Sequence, residues 1–294
     1  MTALPRELQK RIDEIAGDRL AGASEILDRA IALLLDVQAA DGPVRAVARA
    51  LCDAQPSMAG MWNAGLHAVA GREDPSVFTA FTARVNRAER ALIRVGLEFF
   101  EAGANAPLRL ATFSFSRTAA ALITALSETR EVRVAAAEGR PMLEGRRMAT
   151  ALAAAGARVT FYTDAALGQA LGAVDAVLVG ADAITPDAVI NKSGTRLLAA
   201  AAAHQGVPVY VAASREKFVS QAVSLQLAVR EGHADEVWPT PPAGVEIRNP
   251  YFEPTPLDLV ASVITDTGVI GAGLVPEVCE ASSNVRWVAE LLGR

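Results

Sequence analysis

The chain has 294 residues, of which 51% are hydrophobic and 21% charged, a composition suited to a globular protein with a sizeable core and room for two domains. A net charge of −5 and an aromatic content of 5% argue against direct nucleic-acid binding, which needs clustered cations and stacking faces. Two cysteines, Cys52 and Cys279, and three scattered histidines, His67, His204 and His233, form neither a disulfide framework nor a zinc spacing, so no metal and no cofactor is expected.

The opening segment "MTALPRELQKRIDEIAGD" is charged and lacks the apolar centre of a signal peptide. No uncharged apolar run reaches membrane-spanning length, and a cytoplasmic protein without membrane contact is expected. Residues 1–105 read as a helical N-terminal domain. "ELQKRIDEIAGD" and "GASEILDRAIALLLDVQAA" repeat apolar residues at helical intervals, as at Ile26, Ala30, Leu33 and Leu34. "GPVRAVARALCDAQ" continues the pattern. "PSVFTAFTARVNRAERALIRVGLEFFEAG" predicts a long amphipathic helix closed by Gly103, and no strand is expected in this half.

Residues 106–294 change character. Short apolar, β-rich runs alternate with helical ones: "LRLATFSFS", "VRVAAAE", "RVTFYT", "AVLVGAD" and "PVYVAAS" each precede a segment with helical patterning, the last two being "GTRLLAAAAAHQG" and "REKFV". Nearly continuous apolar strands alternating with helices predict an α/β domain with a Rossmann-like, mostly parallel, doubly wound sheet. The sequence "VGAD" is not a dinucleotide fingerprint.

In such sheets ligands meet the carboxyl ends of the strands. Those ends carry Ser114, Ser116 and Arg117, then Glu138 and Arg140, then Thr163 and Asp164, then Asp182, then Ser214 and Arg215. Asp182 sits where a carboxylate can transfer a proton. Asn191 and Lys192 precede a helix predicted to start near Ser193 or Gly194, where free N–H groups and a cation favour phosphate. Each residue alone also fits a plainer role: an Asp after a strand serves as a turn or cap residue, and a loop Lys is commonly solvated.

"GADAITPDAVINKSGT", "EGRPMLEGRRMATALAAAGARVTFYTDAA" and "RNPYFEPTPLDLVASVITDTGVI" resemble a superfamily that holds the alpha, beta and delta subunits of translation initiation factor 2B, methylthioribose-1-phosphate isomerase and ribose-1,5-bisphosphate isomerase. The resemblance covers most of Ala106 to Ile270, with weaker signatures in "GASEI" and "AQPSMAGMWNAG". It implies a helical domain, a Rossmann-like domain, homodimers formed through the latter, and an active site between the two. It also implies that Asp182 is catalytic and that Asn191, Lys192, Arg140, Gln55 and Glu144 contact a phosphorylated sugar or nucleotide.

The sequence departs from the isomerase pattern at telling places. The catalytic Cys position is Ser114, the R-G-A element reads Ala21-Gly22-Ala23 with only Arg19 nearby, and the R-P-[ST] element reads Gln55-Pro56-Ser57. A thiol with a reference pKa of about 8.5 shuttles protons near neutrality, whereas a serine hydroxyl needs a partnered base. Two readings follow. One is an aldose–ketose isomerase in which Asp182 transfers the proton and Ser114 binds or relays. The other is a regulatory protein that binds a phosphosugar or nucleotide without turnover.

Overall fold

The computed structural model describes residues 4–18, 22–101, 107–229, 231–281 and 285–293. Arg19, Ala21, Gly103 and the expected domain boundary at 105/106 lie outside them. The chain begins with helices α1 (Arg6–Gly17), α2 (Ala23–Ala39), α3 (Val44–Ala54), α4 (Ala59–Ala70) and α5 (Pro75–Glu101). The apolar positions spaced for one helix face form one core with Ile26, Leu33, Leu34, Val47, Leu51 and Trp62 buried. Helix α4, "AGMWNAGLHAVA", is buried on nearly all sides, as its run of small and apolar residues requires.

The remainder alternates β1 (Leu108–Thr112), α6 (Arg117–Thr129), β2 (Val132–Ala137), α7 (Glu144–Ala154), β3 (Arg158–Tyr162), β4 (Ala176–Val179), β5 (Ala183–Ile184), β6 (Ala188–Lys192), α8 (Thr195–His204) and β7 (Val209–Ala212). It continues with α9 (Gln221–Ser224), α10 (Ala234–Val237), β8 (Phe252–Pro256), β9 (Ser262–Thr265), β10 (Gly268–Gly271), α11 (Val275–Glu280) and α12 (Val285–Leu292). Seven strands form one sheet in the order β10-β9-β7-β4-β1-β2-β3, parallel except for the antiparallel β9–β10 pair. The doubly wound, mostly parallel sheet expected from the alternating pattern is therefore present. Strand order reverses between β1 and β4, which opens a crevice at their carboxyl ends.

Several local expectations are corrected. A second antiparallel sheet, β5-β6-β8, escaped the sequence reading. Asn191 and Lys192 are the last residues of β6 rather than a loop leading into α8. "DAALGQALG" forms a 3-10 run over Ala165–Ala173, and "REKFV" contributes only a 3-10 turn at Arg215–Lys217. The last helix, α12, returns to the helical layer, where Val288 and Leu291 join the core of α2, α3 and α4. The two layers are also pinned near the crevice: Asn63 Nδ2 donates to the carbonyls of Glu216 (2.7 Å) and Phe218 (2.8 Å), and the Ala59 amide donates to the Asp182 carbonyl (3.0 Å).

Candidate functional site

A cavity of about 540 Å³ lies between the helical layer and the carboxyl edge of the large sheet. The helical layer contributes Gln55, Ser57 and Met58; the sheet edge contributes Ser114, Glu144, Asp182, Asn191 and Lys192. Six of the seven residues that the family resemblance points to, Ser114 included, thus share one wall system. The seventh, Arg140, is exposed and outside it. Its guanidinium donates to the Val237 carbonyl at 3.1 Å, and its amide donates to Asp164 at 2.8 Å. Asp164 also accepts from the Gly139 amide at 2.7 Å, so this strand-end acid clamps the turn before α7.

The turn geometry explains how the groups converge. Ser114 follows β1 in the left-handed backbone region, φ 60°, and is buried beside Gly139. Ser116 then caps α6, its hydroxyl accepting from the Ala119 amide at 3.2 Å. Gly180 lets the chain after β4 pass directly over Ser116, where a side chain would collide with the serine hydroxyl. Asp182 therefore leaves β4 next to the end of β1. Its own amide donates to Ile190 at 2.8 Å, which ties it to β6 and so to Asn191 and Lys192.

Among the described residues that line the cavity, Asp182 has the most perturbed proton affinity. Burial pushes its carboxyl up from 3.8 to about 6, against the opposing pull of Lys217 and then Lys192, with Glu144 pushing it further up. No described residue donates a hydrogen bond to that carboxylate. Lys217 is a site residue the sequence reading missed. It is buried, lines the cavity and donates to the Ala181 carbonyl at 2.7 Å. Its signal in the sequence is a lysine in an apolar context just after a strand end, "VAASREKFV", beyond Ser214 and Arg215. Arg215 points elsewhere, its amide bound to Asp266 and its guanidinium 4.8 Å from the Phe218 ring centroid.

The cations of the cavity all have partners. Lys192 Nζ is 2.6 Å from Glu144 Oε1 and 4.6 Å from the Tyr251 ring centroid. Arg147 stacks on Phe115 and donates to Glu25 of α2 at 3.0 Å; Arg117 lies 3.2 Å from Asp28 of the same helix. These last two pairs bridge the layers. The anion site expected at the start of α8 is corrected: Glu253 Oε1 accepts from the amides of Gly194 (2.7 Å) and Arg196 (3.0 Å). Asn191 donates to Thr195 at 3.0 Å, and Gln55 donates to the Ile15 carbonyl at 3.0 Å, so both are held in place by their own layer. The two thiols lie outside the cavity lining; burial pushes both up, Cys279 to about 12.

The family model of the initiation factor 2 subunit family matches residues 44–272. The chain belongs to that family. It is 30% identical over 278 residues to a putative translation initiation factor eIF-2B subunit 2-like protein of Pyrococcus horikoshii, covering 91% of this chain and 97% of the relative. It is 36% identical over 170 residues to a putative methylthioribose-1-phosphate isomerase of Archaeoglobus fulgidus, covering 55% of this chain and 50% of the relative. The match thus spans about half the length of that isomerase. Among solved structures, the P. horikoshii translation initiation factor eIF-2B superposes with a TM-score of 0.77 at 28% identity, covering 91% of this chain and 98% of the other. The architecture is thus shared with a solved protein named for translation initiation, and the sequence likeness extends to a relative named for sugar-phosphate isomerisation. Among the described residues, no helix is long and apolar enough to cross a membrane.

Proposed function

We propose that the cavity binds a phosphorylated sugar and that the protein is an aldose–ketose isomerase in which Asp182 moves the proton. The observation that carries this reading is the Asp182 carboxylate lining a cavity between the helical layer and the sheet edge together with Lys217 and Lys192, with burial raising its pKa to about 6. At pH 7 roughly nine-tenths of such a group is ionised, yet it is far more basic than an ordinary aspartate. It takes the C2 proton of an opened aldose and returns it at C1, while the C2 hydroxyl proton passes to O1 through the enediol. The carbonyl moves from C1 to C2, and the substrate as a whole is neither oxidised nor reduced. Lys217 and Lys192 stabilise the negative charge that develops on the enediolate oxygens, in a site where fixed charges act strongly. Ser114 reaches the same space and serves as a hydroxyl contact or proton relay.

The relative named as an isomerase supports this class of reaction. The substrate is proposed to carry its phosphate toward Lys192, with Gln55 and Asn191 in the surrounding wall. Arg140 is left out of the assignment. A second reading, a phosphosugar-binding regulatory protein, is favoured by one observation: no described side chain forms a hydrogen bond with the Ser114 hydroxyl to act as its base. The test is incubation of the purified chain with aldose phosphates while ketose formation is followed. Turnover is expected. Tight binding without ketose would replace the first reading with the second. The chain is further proposed to form a homodimer, as the family resemblance implies, and light scattering returning the monomer mass of 30.7 kDa would refute this.

A further inference from the structure

We propose that Glu144 is a resident anion on Lys192, displaced when the anionic group of a ligand arrives. This inference rests on the reading that the cavity takes a phosphorylated ligand. It reverses the simplest role for Glu144, that of a residue which adds to ligand affinity.

The pair has an uneven construction. Lys192 is enclosed, its side chain 7% exposed, with Glu144 Oε1 at 2.6 Å and the Tyr251 ring on another side. Glu144 is less confined, its side chain 30% exposed at the first position of α7, after the left-handed Leu143. Its other oxygen, Oε2, is buried and accepts no hydrogen bond. A carboxylate has about four acceptor sites, and this one meets a single donor among the described residues. Leaving a buried charged oxygen without a donor works against the position it occupies.

The other cations of the cavity are held differently. Lys217 is fixed by a backbone carbonyl, and Arg117 and Arg147 are fixed by carboxylates of α2 in the opposite layer. Displacing those partners would loosen the backbone anchor or the seam between layers. Displacing Glu144 asks only one side chain of the same wall to turn away. A phosphate dianion offers Lys192 a stronger acceptor than the carboxylate and leaves Glu144 free to reach solvent. The Glu144–Lys192 contact therefore acts as an autoinhibitory contact that keeps the ammonium occupied and weakens anion binding.

The test is calorimetric titration of inorganic phosphate into the full chain and its Glu144→Gln, Glu144→Ala and Lys192→Ala variants. Glu144→Gln keeps the shape and removes the charge. It is expected to bind phosphate about tenfold more tightly than the unmodified chain, the worth of one charge-assisted bond released from competition. Adding Lys192→Ala to Glu144→Gln should abolish the gain. Equal or weaker phosphate binding by Glu144→Gln and Glu144→Ala, with melting temperatures intact, overturns the proposal, as does an absence of phosphate binding in every variant. If both variants fail to fold, Glu144→Asp is read in their place: its shorter reach should also tighten phosphate binding, and weaker binding overturns the proposal. Failure of the isomerase reading is seen separately, as absent phosphosugar turnover alongside a preserved difference in phosphate affinity.

Discussion

Replacing Asp182 with Asn should stabilise the protein at neutral pH while removing its turnover. The stability part follows from the environment of the carboxylate. Burial raises its pKa from 3.8 to about 6, so the folded state holds the proton more tightly than the unfolded chain. Between pH 4 and 6 the folded state is the more protonated, and stability falls as pH rises through that window. Above pH 6 the loss is complete. At about 1.4 kcal/mol for each factor of ten in proton affinity, the ionised Asp182 costs about 3 kcal/mol at pH 7.5. Asn has nearly the same shape and no charge to desolvate. The variant should then melt roughly 5 °C higher at pH 7.5 and gain little at pH 4. Over the same pH range its turnover should fall by about 10²–10⁴, the usual worth of a general acid–base group. Thermal melts from pH 4 to 8, with parallel ketose assays, read both effects. A variant no more stable at pH 7.5, or one equally stabilised at pH 4, would show that desolvation does not govern this residue. Undiminished turnover would remove Asp182 from the chemistry.

Lys217→Met deletes the largest charge holding the Asp182 pKa down, so the acid limb of the activity profile should move to higher pH; an unmoved limb counts against the coupling. Ser114→Cys places a thiol at the end of β1, and isomerase activity should rise; no activity with any phosphosugar, together with tight binding of one, points to the regulatory reading. Lys192→Ala should weaken phosphosugar binding about 10–100-fold, while Lys10→Ala, on the exposed face of α1 4.0 Å from Glu14, should leave it unchanged; equal affinities by calorimetry would dismiss Lys192 as an anchor.

Much of the architecture was legible in the residues. The runs "VRVAAAE" and "AVLVGAD" are apolar at nearly every position because helices cover both faces of the sheet, and that burial needs no knowledge of the partners. Asp182 and Ser114 were legible because ligands in such a sheet meet the strand ends at the point where the order reverses, here β4 and β1. The β5-β6-β8 sheet was not. A two-residue strand has no period, and β6 is recognisable only by its pairing with β8, some 60 residues later.

The sequence by itself determined the alternating α/β order, the absence of a thiol at position 114, an acid just past the fourth strand and a lysine shortly before α8. Only the tertiary structure decided what those groups do to each other. Arg140 follows a strand end yet its amide is held by Asp164 and its guanidinium donates to the Val237 carbonyl, outside the cavity lining. Lys192 has its charge met by Glu144, 48 residues earlier, and Asp182 becomes a weak acid because two layers close over it. Periodicity reports which face of an element is buried. Proton affinity and charge pairing depend on the dielectric and on partners that folding alone brings within a few ångströms.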